Sequence, residues 1–157
     1  GDWVYRTLHR FGFANQPRSE HRGDGLMLQD AYITAAARCV PPDNKPSNAE
    51  LLACRSYLVR ELALLRRVRV VVPLGKIAFE AYLAAWRELG LPLADERPRF
   101  AHAATAWLPG GILLLASYHP SRQNTQTGRL TQAMFDEIFA RVRTELDGQG
   151  RVTTPIR

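Results

Sequence analysis

Val4, Leu8 and Phe11, with Tyr5 beside them, recur at helical spacing, and the pattern stops at Gly12 before the polar stretch 15–24. This spacing predicts a first helix and then a loop. A short, partly β-branched run, Ala31-Tyr32-Ile33-Thr34-Ala35, leads into Arg38-Cys39-Val40-Pro41-Pro42. Two prolines that cannot donate a backbone hydrogen bond predict a strand that ends there. After the loop Asp43-Asn44-Lys45-Pro46, Ser47 precedes Glu50 by three residues, the spacing of a capping box. Leu51, Leu52, Leu58, Leu62 and Leu65 then supply the apolar stripe of a long helix, with Cys54 in its first turns.

The β-branched run 68–72 reads as a strand that ends in Pro73-Leu74-Gly75-Lys76, and Ile77, Phe79, Tyr82 and Trp86 mark the helix that follows. A Pro- and charge-rich connection at 92–98 precedes Phe100-Ala101-His102, a short strand at 105–108 and a Pro109-Gly110-Gly111 turn. Residues 112–116 form the second clear buried strand. It ends at Ser117-Tyr118-His119-Pro120-Ser121, and a polar loop through Thr127 leads to a helix carrying Leu130, Met134, Phe135, Ile138 and Val142. The stretch 148–157 reads as a loose tail to a domain over 1–147. Strands alternating with helices predict an α/β fold with parallel pairing through right-handed crossovers. In such sheets ligands bind beyond the carboxyl ends of the strands, so the loops 41–45, 74–76 and 118–124 are expected to converge on one cleft.

Composition narrows the class. A chain of 157 residues fits one domain, and 46% hydrophobic with 23% charged residues is the balance of a globular protein. Lys plus Arg less Asp plus Glu is 21 − 15, a net charge of +6. A polyanionic partner is therefore favoured, nucleic acid ahead of a membrane surface. No apolar run approaches the roughly 18 to 20 residues of a membrane span, and no signal-peptide order opens the chain. The expectation is a cytoplasmic protein. Because residue 1 is Gly and a helical pattern starts at once, the natural N-terminus is expected upstream.

The densest polar constellation is His119-Pro120-Ser121-Arg122-Gln123-Asn124, directly behind a hydrophobic strand. A neutral imidazole there could donate a hydrogen bond to negative charge developing on a leaving group, and Ser121, Gln123 and Asn124 could bind phosphates or bases. The same segment also fits a hydrogen-bonded polar turn. Cys39 and Cys54 are the two cysteines of the chain, too few for a disulfide framework and half of what a 4Fe-4S cluster takes. By themselves they fit buried small hydrophobes. Arg66, Arg67 and Arg69 sit at a helix end, where cations complement the dipole. Gly75-Lys76 resembles an anion-binding turn without the full phosphate-loop pattern, and His102 fits a rim or core histidine.

Tyr118-His119-Pro120-Ser121-Arg122-Gln123-Asn124, followed by Thr127-Gly128-Arg129-Leu130-Thr131, resembles the uracil-DNA glycosylase superfamily, specifically family five, the B type. The blocks from Tyr32 to Pro46, Cys54, the stretch 70–75 and Phe100-Ala101-His102 occur in that family's order over nearly the whole chain. The resemblance implies a three-layer α/β/α domain on a four-stranded parallel sheet, a 4Fe-4S cluster, and hydrolysis of the N-glycosidic bond of uracil in DNA, extending to other deaminated bases such as hypoxanthine. It makes Cys39 and Cys54 the third and fourth cluster ligands and His119 the histidine on the uracil O2 side. Asn44 becomes a polar contact in the base pocket, and Ser121, Arg122, Gln123 and Asn124 the loop that enters the minor groove. The base must leave the stack to be reached, and negative charge on the departing uracil must be stabilised.

The family's Cys-x-x-Cys pair, its Gly-Leu-Ala-Pro block and the Gly- and Asn-rich loop that follows have no counterpart in this sequence. The expectation is therefore a C-terminal fragment without the first strand, two cluster ligands and the water-positioning loop. Gln126 stands where an aromatic is common in the family. The implied protein is a monomeric, nucleoid-associated, monofunctional glycosylase of base excision repair that uses no lysine Schiff base. The alternative is a non-catalytic DNA-binding module of the same fold. A small-molecule nucleotide hydrolase is disfavoured for want of a carboxylate cluster or complete phosphate loop.

Overall fold

A computed structural model describes residues 2–35, 47–93 and 97–153. Their elements, in chain order, are α1 (Asp2–Arg10), α2 (Asn48–Leu64), β1 (Val70–Val71), α3 (Lys76–Glu88), β2 (Thr105–Leu108), β3 (Ile112–Leu115), α4 (Arg122–Gln126) and α5 (Gln132–Thr153). The chain forms two compact units, one of residues 33–117 and one of residues 1–32 with 118–157. Among the described residues, no helix is long and apolar enough to cross a membrane.

In the unit 33–117, α2 begins at the expected capping box. The Ser47 hydroxyl accepts from the Glu50 N–H at 3.1 Å, and the Glu50 carboxylate accepts from the Ser47 N–H at 3.3 Å. Helix α3 carries Phe79, Tyr82, Leu83 and Trp86 at i, i+3, i+4 and i+7, so one face is apolar, and all four are buried. That face packs on Leu108, Leu114 and Ala116, with Val71, Ala106 and Ile112 at the margin. Leu113 and Leu115 alternate to the other face of β3 and are buried as well. Burial on both faces explains why 112–116 reads as an unbroken apolar run.

The sheet corrects two expectations. Among the described residues it has three strands in the order β1-β3-β2, with β1 parallel and β2 antiparallel to β3. The β1–β3 pair is parallel as expected, but β2 makes the sheet of these residues mixed and not wholly parallel, and the reason is the turn at 109–111. Gly110 and Gly111 take φ of 88° and 79°, and the Gly111 N–H donates to the Leu108 carbonyl at 3.2 Å. A connection this short reverses the chain and enforces antiparallel pairing, whereas a parallel neighbour needs a long crossover. Residues 31–35, expected as a strand, have no regular structure. Tyr32 and Ile33 are exposed, and the Thr34 hydroxyl donates to Glu61 at 2.7 Å, so the run is anchored by a side chain instead of a ladder.

In the other unit, α1 lies along α5. Trp3 meets Phe135 edge to face at 6.2 Å, Phe135 meets Phe139 at 5.1 Å, and Leu8, Phe13, Leu130, Ile138 and Val142 are buried with them. Arg143 of α5 donates from Nε and Nη2 to the Phe11 carbonyl at 3.1 and 2.8 Å, and its guanidinium stands 4.1 Å from the centre of the Phe13 ring. The chain leaving α1 is pinned there. Helix α5 is capped by the Thr131 hydroxyl, which accepts from the Met134 N–H at 3.1 Å. It continues to Thr153, so residues 148–153 of the stretch read as a tail are helical despite two glycines, and 154–157 lie outside the described residues.

Candidate functional site

Strands β1 and β3 end level with each other. Leu74 and Ser117 form a parallel bridge, the Ser117 N–H donates to the Pro73 carbonyl at 3.1 Å, and the Gly75 N–H donates to the Ser117 carbonyl at 2.8 Å. Gly75, at φ 96°, then turns the chain directly into α3. The level ends are what parallel pairing requires, and they put a buried Ser117 immediately ahead of Tyr118 and His119 in the chain.

From Tyr118 onward the polar segment is tightly organised within its own unit. The His119 carbonyl accepts twice, from the Ser121 N–H at 2.7 Å and from Asn124 Nδ2 at 2.9 Å. Between donor and acceptor stands Pro120, whose fixed φ and missing N–H suit a turn without a helical bond. Ser121 caps α4, its hydroxyl accepting from the Asn124 N–H at 3.2 Å. The Thr125 hydroxyl donates to the Ser121 carbonyl at 3.0 Å, and the Thr127 hydroxyl to the Gln123 carbonyl at 2.7 Å. These bonds leave Arg122, Gln123 and Gln126 as the exposed side chains of the turn, while Ser121 and Asn124 are half-buried. The short helix replaces the expected loop. Its five polar residues show no apolar period, and the one signal for it was the three-residue spacing of Ser121 and Asn124.

Electrostatically the segment is one-sided. Residues 118–135 contain Arg122 and Arg129 and no carboxylate. The guanidinium of Arg129 stands 4.8 Å from the centre of the Tyr118 ring, a cation–π pair that sequence reading missed because nothing in the spacing marks it. His119 is exposed, yet enough protein surrounds the ring that burial holds its pKa below the ordinary 6.5. The imidazole is thus neutral at pH 7, with one ring N–H to donate and no lone carboxylate beside it in the chain to draw that proton away.

The other expected site residues divide as follows. Asn44 and Cys39 lie outside the described residues, as does the loop 41–45. Cys54 is half-buried on α2. A 4Fe-4S cluster takes four thiolates, and the two cysteines of this chain fit half of that set. Among the described residues, no three His, Cys, Asp or Glu side chains cluster to hold a metal ion. Lys76 opens α3 and lines, with Asn48 and Arg55, a cavity of about 310 Å³. His102 is half-buried beside Ala103, which takes φ of 64° while its N–H donates to the Ala116 carbonyl at 2.8 Å.

A model of the uracil DNA glycosylase superfamily matches residues 1–143. The chain belongs to that superfamily. Among curated proteins it is 50% identical over 139 residues to a type-5 uracil-DNA glycosylase of Thermus thermophilus, with 88% of this chain and 61% of that protein covered. It is 45% identical over 140 residues to the type-5 uracil-DNA glycosylase of Mycobacterium leprae, covering 88% and 59%. With that of Mycobacterium bovis the figures are 43% over 140 residues, covering 88% and 51%. The chain therefore spans between half and three-fifths of the length of these glycosylases, and within this glycosylase fold the described residues form an α/β unit with a small mixed sheet.

Proposed function

We propose that the protein is a monofunctional DNA glycosylase that hydrolyses the N-glycosidic bond of uracil, and of other deaminated bases such as hypoxanthine, in DNA. This would be the first step of base excision repair, carried out by a monomer on the DNA of the nucleoid. The observation that carries the reading is His119, an exposed imidazole directly behind β3 and its Ser117 bridge and followed by a segment with two arginines and no carboxylate. The type-5 relatives, named as uracil-DNA glycosylases, support the same substrate.

In this reading the target nucleotide leaves the stack, which costs a few kcal/mol and is easiest for a mispaired uracil. The C1′–N1 bond breaks with its electron pair going to the base, and the negative charge that develops spreads onto uracil O2. An N–H of His119 donates to that oxygen, stabilising the leaving group as the bond lengthens. Water adds to C1′ from the opposite side, losing one proton to solvent, and leaves an abasic site. Arg122 and Gln123, the exposed side chains of α4, meet the opened duplex from the minor groove with Ser121, on a turn that Asn124 holds in shape, and Asn44 contacts the base. Cys39 and Cys54 supply two thiolates of a 4Fe-4S cluster, which when bound would tie the 39–46 loop to α2. The complete domain is a three-layer α/β/α fold whose sheet has a fourth strand beyond the three described.

The test is incubation of the intact protein with end-labelled duplexes carrying one uracil or one hypoxanthine, followed by alkali. Alkali-dependent cleavage at the modified position is expected, and none on the unmodified duplex. Absence of alkali-labile sites on the uracil duplex contradicts the reading.

A further inference from the structure

We infer that Asn124 is a positioning residue for His119 and not a contact to DNA. The inference rests on His119 being the group that meets the base. Among the polar residues of the 119–124 segment, Asn124 is held at three points. Its Nδ2 donates to the His119 carbonyl at 2.9 Å, its own N–H donates to the Ser121 hydroxyl at 3.2 Å, and its carbonyl accepts from the Leu130 N–H at 3.0 Å. Leu130 is fully buried, so the third bond anchors Asn124 to the apolar core of its unit.

Among the described residues, two donors meet the His119 carbonyl, and Asn124 Nδ2 is one. The other donor to its carbonyl is the Ser121 N–H two residues on, a local bond that travels with the turn, and Pro120 between them has no N–H to give. The amide of Asn124 therefore links the His119 backbone to the apolar core of its own unit. That bond also occupies one of the two Nδ2 hydrogens and fixes the amide against the turn's own backbone, so turning it to a phosphate or base would break the bond. Arg122 and Gln123, exposed on the same short helix, are free to meet either.

The prediction is a separation of rate from affinity. In the intact protein, N124A slows single-turnover uracil excision by about 10- to 100-fold, the scale of a small misplacement of a reacting group. Its Kd for a duplex carrying a non-cleavable deoxyuridine analogue stays within about twofold of wild type, whereas loss of a good base contact would weaken it by roughly 5- to 150-fold. N124Q, which keeps an amide donor on a longer stem, recovers part of the rate. The His119 ring resonances, read by NMR without DNA, move in N124A and return toward wild type in N124Q. A weakened Kd with an unchanged rate overturns the inference, as do His119 resonances that ignore the substitution. The NMR arm needs no catalysis, so an inactive wild type would count against the glycosylase reading while Asn124 is still judged by the spectra. Should N124A fail to fold, N124S removes the amide with less disturbance and is read in the same way.

Discussion

Arg129 holds its guanidinium 4.8 Å from the centre of the ring of Tyr118, the residue ahead of His119 in the chain. Stacking on an aromatic face limits the rotamers of an exposed arginine and so lowers the entropy lost when it meets a phosphate. R129A is expected to weaken duplex binding and to lower the slope of log K against log salt by about one, the signature of one phosphate contact. Titrations at several salt concentrations measure this, and an unchanged slope would show that Arg129 makes no phosphate contact.

Asp136 and Gln132 carry the polar bonds between α1 and α5, Gln132 donating from Nε2 to the Thr7 hydroxyl at 3.0 Å and accepting from Arg6 at 3.4 Å. Asp136 accepts from Gln132 Nε2 at 2.8 Å and from the Thr7 hydroxyl at 3.3 Å, and it pairs with Arg10. Thr7 is fully buried, and losing its acceptor leaves a desolvated hydroxyl. D136A should destabilise the fold by about 1–3 kcal/mol in urea unfolding. A change below about 0.5 kcal/mol would mean that water or Gln132 replaces the lost acceptor, which the burial of Thr7 argues against.

Much of this was written locally in the sequence. Ser47 and Glu50 specify the start of α2 by themselves, the run 112–116 contains β3 because a strand buried on both faces needs uninterrupted apolar residues, and the half-buried β1 lies in the β-branched run 68–72. The segment 31–35 has the composition of a strand, but pairing depends on a neighbour that composition does not reveal. The antiparallel direction of β2 was legible in Pro109-Gly110-Gly111, where the shortness of the link outweighs the general preference for parallel pairing. At the site, His119 could be picked out from its place behind a strand. The bond from Asn124 to the His119 carbonyl and the Tyr118–Arg129 pair could not, because a five-residue polar helix has no hydrophobic period to announce it.

The turn at 109–111 gives a direct check on the sheet. Gly110 has open space around the position of a Cβ, so an alanine there meets no clash and the effect is one of backbone conformation alone. At φ 88°, G110A is expected to cost about 1–2 kcal/mol. Thermal or urea unfolding reads this, and wild-type stability would contradict the described turn.

Burial lowers the pKa of His119 in the folded protein, so the unfolded chain binds its proton more readily than the native state does. The contribution of this group to stability is therefore undiminished above the unfolded value near 6.5 and falls as the pH drops from there toward the native pKa. An NMR titration of the His119 ring should give a midpoint below 6.5. A midpoint at or above that value would mean that the ring is not desolvated as described.

The most direct test of the whole account is single-turnover excision of uracil by the intact protein and its H119A variant, with enzyme in excess over the duplex. If His119 donates to the departing base, the variant is slower by about 10²- to 10³-fold, the scale for losing one such donor, while DNA affinity changes little. Excision at the wild-type rate by H119A would contradict the assignment of His119 and the mechanism built on it.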